Sequence, residues 1–163
     1  MKKRSKYRPR HQTTYKMIDE LGTSPTSPLP LSRREHQLGI MHAALDAMRV
    51  HEAPQKEHWE VIADCVNLLE MLVEMGEIND DGGWIAQASL EMAMAAKRSR
   101  AGMALRLTGA GLQAATNALE GYELAINGLP GRVIVRAHRL TEIRILDIHS
   151  GRRRSHDVEV VSL

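Results

Sequence analysis

Residues 55–76 read QKEHWEVIADCVNLLEMLVEMG, and their spacing decides the fold. Trp59, Ile62, Val66, Leu69 and Val73 recur at intervals of three and four, which on a 3.6-residue helix stacks them on one face. Cys65, Leu68 and Leu72 widen that stripe. Glu57, Glu60, Asp64, Glu70 and Glu74 take much of the remaining circumference, and Gly76 stands where a helix stop is expected. An apolar face this broad needs other elements packed over it, so the segment predicts a helix inside a bundle.

Working outward, Leu38, Met41, Leu45 and Met48 repeat at three, four and three, on a helix expected to open at Ser32 and fade before Pro54. Ser32 with Glu35 fits a capping box, the hydroxyl taking an early backbone amide while the carboxylate reaches back. Downstream, Asn79, Asp80, Asp81, Gly82 and Gly83 form a turn cluster whose acids can cap a helix from near Trp84. Ile85, Ala88, Met92 and Ala95 would face inward there, and Lys97, Arg98 and Arg100 suit the negative pole of the helix dipole. Past a loop at Gly102, Thr108 caps a further helix with Leu112, Ala115, Leu119, Tyr122 and Ile126 along one side, closed by Asn127, Gly128 and Pro130. Residues 131–147 admit two readings. As a helix they bring Val133, Ala137 and Leu140 together; as strands, VIV and IRI have high β propensity. Helix is preferred because a lone hairpin would leave its edges open.

The expected fold is all-α: a small bundle of four to five helices over residues 32–147. Its core is expected to include Leu45, Trp59, Ile62, Val66, Leu69, Leu119 and Tyr122. Before it lies a basic arm and a Pro/Ser/Thr-rich linker, residues 1–31, where Pro25, Pro28 and Pro30 exclude a regular helix and favour an extended connector. After it comes a peripheral tail, 148–163. At 163 residues this is the size of one domain.

Phe is absent and aromatics make up 3%, so Met, Leu, Ile and Ala must fill the core, and nine Met residues can adapt to irregular gaps. Cys65 is the only cysteine, which excludes an intramolecular disulfide and a multi-cysteine metal site. No run approaches the roughly 18 apolar residues of a membrane span, and no apolar stretch follows the N-terminal cations as in a secretory leader. A cytoplasmic location is expected.

The net charge of +2 conceals a segregation. Lys2, Lys3, Arg4, Lys6, Arg8, Arg10 and Lys16 give residues 1–16 a charge of +7 with no acid, which leaves 15 basic against 20 acidic residues, net −5, in the rest. Such a division bears on partner choice more than the mean does. Tyr7, His11 and Tyr15 interleave the arm's cations, so phosphates could be neutralised while rings stack on bases. The bland alternative is a solubilising tail, or one that folds on the protein's own acidic surface.

Catalytic chemistry finds little footing. The eight histidines show no His-x-x-x-His pair on one helix and no HExxH, so no metal site is expected. Cys65 lies inside an apolar stripe, where a thiol behaves as a small hydrophobe. Gly109-Ala110-Gly111 lacks the third glycine, the preceding strand and the later acid of a dinucleotide fingerprint, and reads better as helix entry. The acids of 57–81 read first as a solvated helix face. No catalytic residue, metal or cofactor is assigned.

Four stretches occur in order: Lys2-Lys3-Arg4-Ser5-Lys6-Tyr7-Arg8-Pro9; His42-Ala43-Ala44-Leu45-Asp46-Ala47-Met48-Arg49; Trp59-x-x-Ile62-Ala63-Asp64-x-x-Asn67-Leu68-x-Glu70; and Leu107-Thr108-Gly109. Together they resemble a group of small proteins encoded by bacteriophages and prophages, over most of the chain. The resemblance implies a cytoplasmic phage-related protein and brings no active site with it. Gly111 departs from a full capping box after Thr108, where Glu would complete it.

The function expected is therefore that of a non-enzymatic interaction protein. Its body presents an acidic face of Glu57, Glu60, Asp64, Glu70 and Glu74. In the setting the resemblance implies, its partner is a host protein or ribonucleoprotein complex of the defence or transcription machinery. The alternative is an RNA- or DNA-binding protein using Lys2, Lys3, Arg4, Lys6, Tyr7, Arg8 and Arg10. Self-association is left open, and no membrane partner is expected.

Overall fold

The computed structural model describes residues 19–50 and 55–150; the arm's Lys2 to Lys16 and residues 151–163 of the tail lie outside the described residues. Five long helices follow one another: α1 (Leu31–Val50), α2 (Lys56–Glu74), α3 (Trp84–Arg100), α4 (Gly109–Gly128) and α5 (Gly131–His149). A helical turn at residues 19–22 precedes them, and the described residues hold no strand. The fold is an all-α bundle.

α2 is its hub and packs against each of the other four long helices. Ten of its nineteen residues are buried, a stripe too broad for a single neighbour to cover. Trp59 and Tyr122 are the largest side chains removed from solvent, and Met41, Met48, Met71 and Met92 fill the gaps that Phe would otherwise take. Leu45, Trp59, Ile62, Val66, Leu69, Leu119 and Tyr122 are each at most 5% exposed, whereas Leu38, Val73 and Leu112 of the same stripes are only half-buried. α3 and α4 pack against one another, and both carry buried alanines, Ala88 and Ala95 on one and Ala114, Ala115 and Ala118 on the other, a composition that permits close backbone approach.

The helix ends show the local chemistry. Gly76 (φ +73°) and Gly102 (φ +85°) take the left-handed conformation after α2 and α3. This lets Glu77 N–H reach Leu72 C=O at 3.0 Å and Met103 N–H reach Arg98 C=O at 3.1 Å, the Schellman closure. Asp80 accepts from the amides of Ile85 and Ala86, and Thr108 Oγ1 accepts from Gly111 N–H at 2.9 Å. The acid missing at position 111 arrives from another helix, since Thr108 donates its hydroxyl to Glu91 Oε2 at 3.2 Å. A Cβ at Gly111 would sit 3.2 Å from that same oxygen.

Two local expectations are corrected. α1 opens at Leu31, with Pro30 C=O accepting from Arg33 and Arg34, so Ser32 lies in the first turn instead of ahead of it. Nor does the body begin at residue 32. Leu29 is 2% exposed, the Ser24 and Ser27 carbonyls receive Arg132 and Gly131 N–H, and Arg132 donates to the Thr23 and Leu21 carbonyls. The prolines hold this stretch out of helix, which leaves its carbonyls available to the unsatisfied amides at the start of α5.

In α5 the buried positions Ile134, Ala137, Thr141 and Arg144 recur at three, four and three. Val133 and Leu140 are only half-buried. The helix and its buried Ala137 are as expected, but on either side the stripe runs through Ile134 and Thr141 instead of Val133 and Leu140 and continues to Arg144, a threonine and an arginine holding interior positions.

Candidate functional site: a cleft walled by the first and last helices

α1 and α5 both lean on α2 without packing extensively on one another, and a cavity of about 250 Å³ opens between them. α1 supplies Gln37, Ile40 and Met41; α5 supplies His138, Thr141, Glu142 and Ile145; Val61 and Asp64 of α2 complete the lining. A second hollow of about 240 Å³ shares Gln37, His138 and Glu142 and continues past Arg33 and Arg139 to Leu29 and Asp19. The cleft therefore has an acidic end at Asp64 and an end where charges of both signs meet.

The polar groups in this cleft differ in how they are satisfied. Arg139 Nε donates to Glu20 Oε2 at 2.7 Å, and Arg33 lies 3.6 Å from Asp19. Tyr122 O–H reaches Gln37 Oε1 at a long 3.5 Å. His138 Nε2 and the hydroxyl of Thr141, itself 6% exposed, have no hydrogen-bond partner among the described residues. Burial, with Arg33 second, lowers the His138 pKa to about 4, so the ring is neutral near pH 7. Burial raises the Asp64 carboxyl above its ordinary range, and Glu60 one turn away raises it further.

The acidic residues of α2 divide into two groups. Glu57 and Glu60 are exposed, Glu60 with Lys56 at 3.1 Å, and Asp64 reaches the cleft. Glu70 and Glu74 instead clasp Arg144, which is 3% exposed and sits 3.3 and 3.2 Å from their carboxylates, with a further bond to the Asn67 carbonyl at 3.1 Å. The five acids lie along one helix, and the second pair is engaged by a buried arginine, Glu70 from a largely covered position and Glu74 from the surface. The arm residues Lys2, Lys3, Arg4, Lys6, Tyr7, Arg8 and Arg10 lie outside the described residues.

Cys65 is 2% exposed, its thiol donating to the Ala118 carbonyl at 3.9 Å, and burial pushes its pKa up. That setting keeps a thiol protonated. Among the described residues no three His, Cys, Asp or Glu side chains are placed to hold a metal ion, and no helix is long and apolar enough to cross a membrane. Compared with protein-family models, curated proteins and solved structures, the chain matches none.

Sequence spacing did not point to Gln37, His138 or Thr141. The available signal was the 134-137-141-144 repeat, in which a threonine and an arginine hold positions that periodicity assigns to the interior.

Proposed function

We propose that this chain is a non-enzymatic interaction protein that binds and modulates a host macromolecular complex of the defence or transcription machinery. The phage setting rests on the resemblance of the four stretches quoted above. The observation that carries the interaction reading is the electrical division of the chain, +7 in residues 1–16 against −5 in the remainder. Opposed charge at two places on one small molecule favours partner selection and fast encounter more than it favours chemistry. On the body, Glu57, Glu60, Asp64 and Glu74 are exposed; Asp64 borders the cleft and Glu74 pairs with Arg144, which leaves Glu57 and Glu60 as the outward part of the acidic face.

Affinity capture from bacterial host lysate, with and without nuclease, tests this against the Glu57→Lys, Glu60→Lys double variant. A defined complex retained after nuclease and lost on charge reversal supports the proposal. Equal retention by the double variant would remove these acids from the interface.

The second reading, nucleic-acid binding through the arm, is favoured by seven cations in sixteen residues with tyrosines between them. On that reading binding to RNA or DNA is steeply salt-dependent, with a log-log slope of roughly −0.9 per phosphate neutralised on duplex DNA. Deletion of residues 2–16 then abolishes it while the helical circular dichroism is retained. Loss of every captured partner after nuclease points the same way.

A further inference from the structure

We infer that the cleft between α1 and α5 binds a small organic cation, a primary amine on an aliphatic body. Its ammonium is received at Asp64 and Thr141, and its carbon chain lies over Ile40, Met41, Val61 and Ile145. The inference stands apart from the protein-interaction proposal, because a partner can be held on the exposed acids of α2 whether or not the cleft is filled.

The sign of charge comes first. The cavity at Asp64 is lined by two carboxyl side chains, Asp64 and Glu142, and by no lysine or arginine. An anionic ligand would be pressed against carboxylates in a partly desolvated space, whereas a cation gains from both. Glu142 has contacts of its own within the protein and adds negative potential. Asp64 differs, since among the described residues no cation pairs with it and its nearest charged neighbour on the helix, Glu60, repels it. Burial first, and Glu60 second, raise its pKa above the ordinary carboxylate range. Ten residues further along the same helix, Arg144 performs that service for Glu74.

Thr141 is the second, independent observation. It is 6% exposed, it lines the cavity, and its hydroxyl has no hydrogen-bond partner among the described residues. A buried hydroxyl without a partner is costly, and a ligand N–H offers it one. The rest of the lining is predominantly aliphatic, which suits a hydrocarbon body.

Size and direction narrow the class. The hollow at Asp64, about 250 Å³, is of a size that a short alkylamine fills, and the phosphates of a nucleotide would be set against Asp64 and Glu142. In the adjoining hollow Arg33 and Arg139 already lie against Asp19 and Glu20, so the charges there are balanced and the ammonium is set at Asp64.

The test is an NMR titration of the isotope-labelled full-length chain at pH 7 and fixed ionic strength. The probes are hexylammonium, hexanol, hexanoate and N-acetyl-lysine methylamide. Hexylammonium is expected to shift the amides around Asp64, Thr141 and Ile145 saturably and to bind about tenfold tighter than hexanol, the contribution of a charge-assisted hydrogen bond. Hexanoate is expected to show no saturable shift, and the lysine derivative to bind more weakly than hexylammonium. Asp64→Asn, its fold checked by the dispersion of the same spectrum, should bind hexylammonium no better than hexanol. Equal binding of the three hexyl probes, no saturable shift at the cleft, or an undiminished ammonium preference in Asp64→Asn overturns the inference. Tighter binding of the lysine derivative overturns the small-molecule assignment in favour of a protein side chain.

Discussion

The two ends of the acidic stripe on α2 carry the same chemistry and do opposite things. At the C-terminal end, Glu70 and Glu74 face a guanidinium buried to 3% and hold α5 against the hub. At the N-terminal end, Glu57 and Glu60 face solvent, and Asp64 meets only a like charge beside an apolar cleft. Charge on a helix face therefore says little until the neighbouring helix is known. A carboxylate opposite a buried arginine belongs to the fold, and one without a cation is available to a ligand or partner.

The sharpest way to break the comparison is at Arg144. Arg144→Ala leaves Glu70, 17% exposed in its side chain, without its cation and opens space beneath α5. Removing one partner from a buried ion pair costs about 3–5 kcal/mol, so urea unfolding should show a loss of that order. Glu57→Gln and Glu60→Gln, at exposed positions, should each stay within about 0.5 kcal/mol. If Arg144→Ala costs no more than these two, the clasp does not hold α5 in place.

His138 should give the next largest effect, read against pH. Its pKa of about 4 in the folded chain lies below the ordinary 6.5, so between those values the unfolded chain binds more protons and stability rises with pH. Stability should therefore fall as pH is lowered from about 6.5 to about 4, by up to ~3 kcal/mol, and level off below. Arg33 on α1, Asp64 on α2, Arg139 and Glu142 on α5 and Asp19 before α1 line the same continuous cleft. Asp64 works the other way, since a carboxyl raised above 3.8 loses its penalty as pH falls. Comparing His138→Gln with its parent in an Asp64→Asn background isolates the histidine. Parallel stability curves in the two would mean that His138 does not titrate differently on folding.

Much of this bundle was legible in the sequence, because hydrophobic spacing reports directly on which helix faces are buried. Ile85, Ala88, Met92 and Ala95 were expected inside and are at most 1% exposed. Thr108 and Asp80 were legible as caps for the same reason, since each acts on amides within a few residues. The cleft was not legible. It arises where α1 and α5 share a neighbour without covering each other, a relation between residues about a hundred positions apart. Arg144 escaped for a related cause: an arginine reads as surface until two carboxylates from another helix close over it. The extended 23–30 stretch was legible as non-helical, but its attachment to the start of α5 depends on carbonyls whose partners are more than a hundred residues away.

The smallest predicted effect separates the two ends of the stripe most cleanly, because it differs in sign. Glu70→Gln keeps size and polarity but removes the charge facing buried Arg144, so at pH 7 it should destabilise by about 2 kcal/mol. Asp64→Asn makes the corresponding change one end away, where the charge has no cation, is partly desolvated and is repelled by Glu60. Removing it relieves a cost, so at pH 7 the variant should be as stable as its parent or more stable by a few tenths of a kcal/mol, the gain being small because the side chain is partly exposed and solvent screens it. The difference should shrink as pH falls and Asp64 in the parent becomes protonated. Paired urea unfolding curves at pH 7 and pH 4 read all of this. If Asp64→Asn loses stability comparable to Glu70→Gln at pH 7, Asp64 is held by a cation within the protein, and the two ends of the stripe are alike.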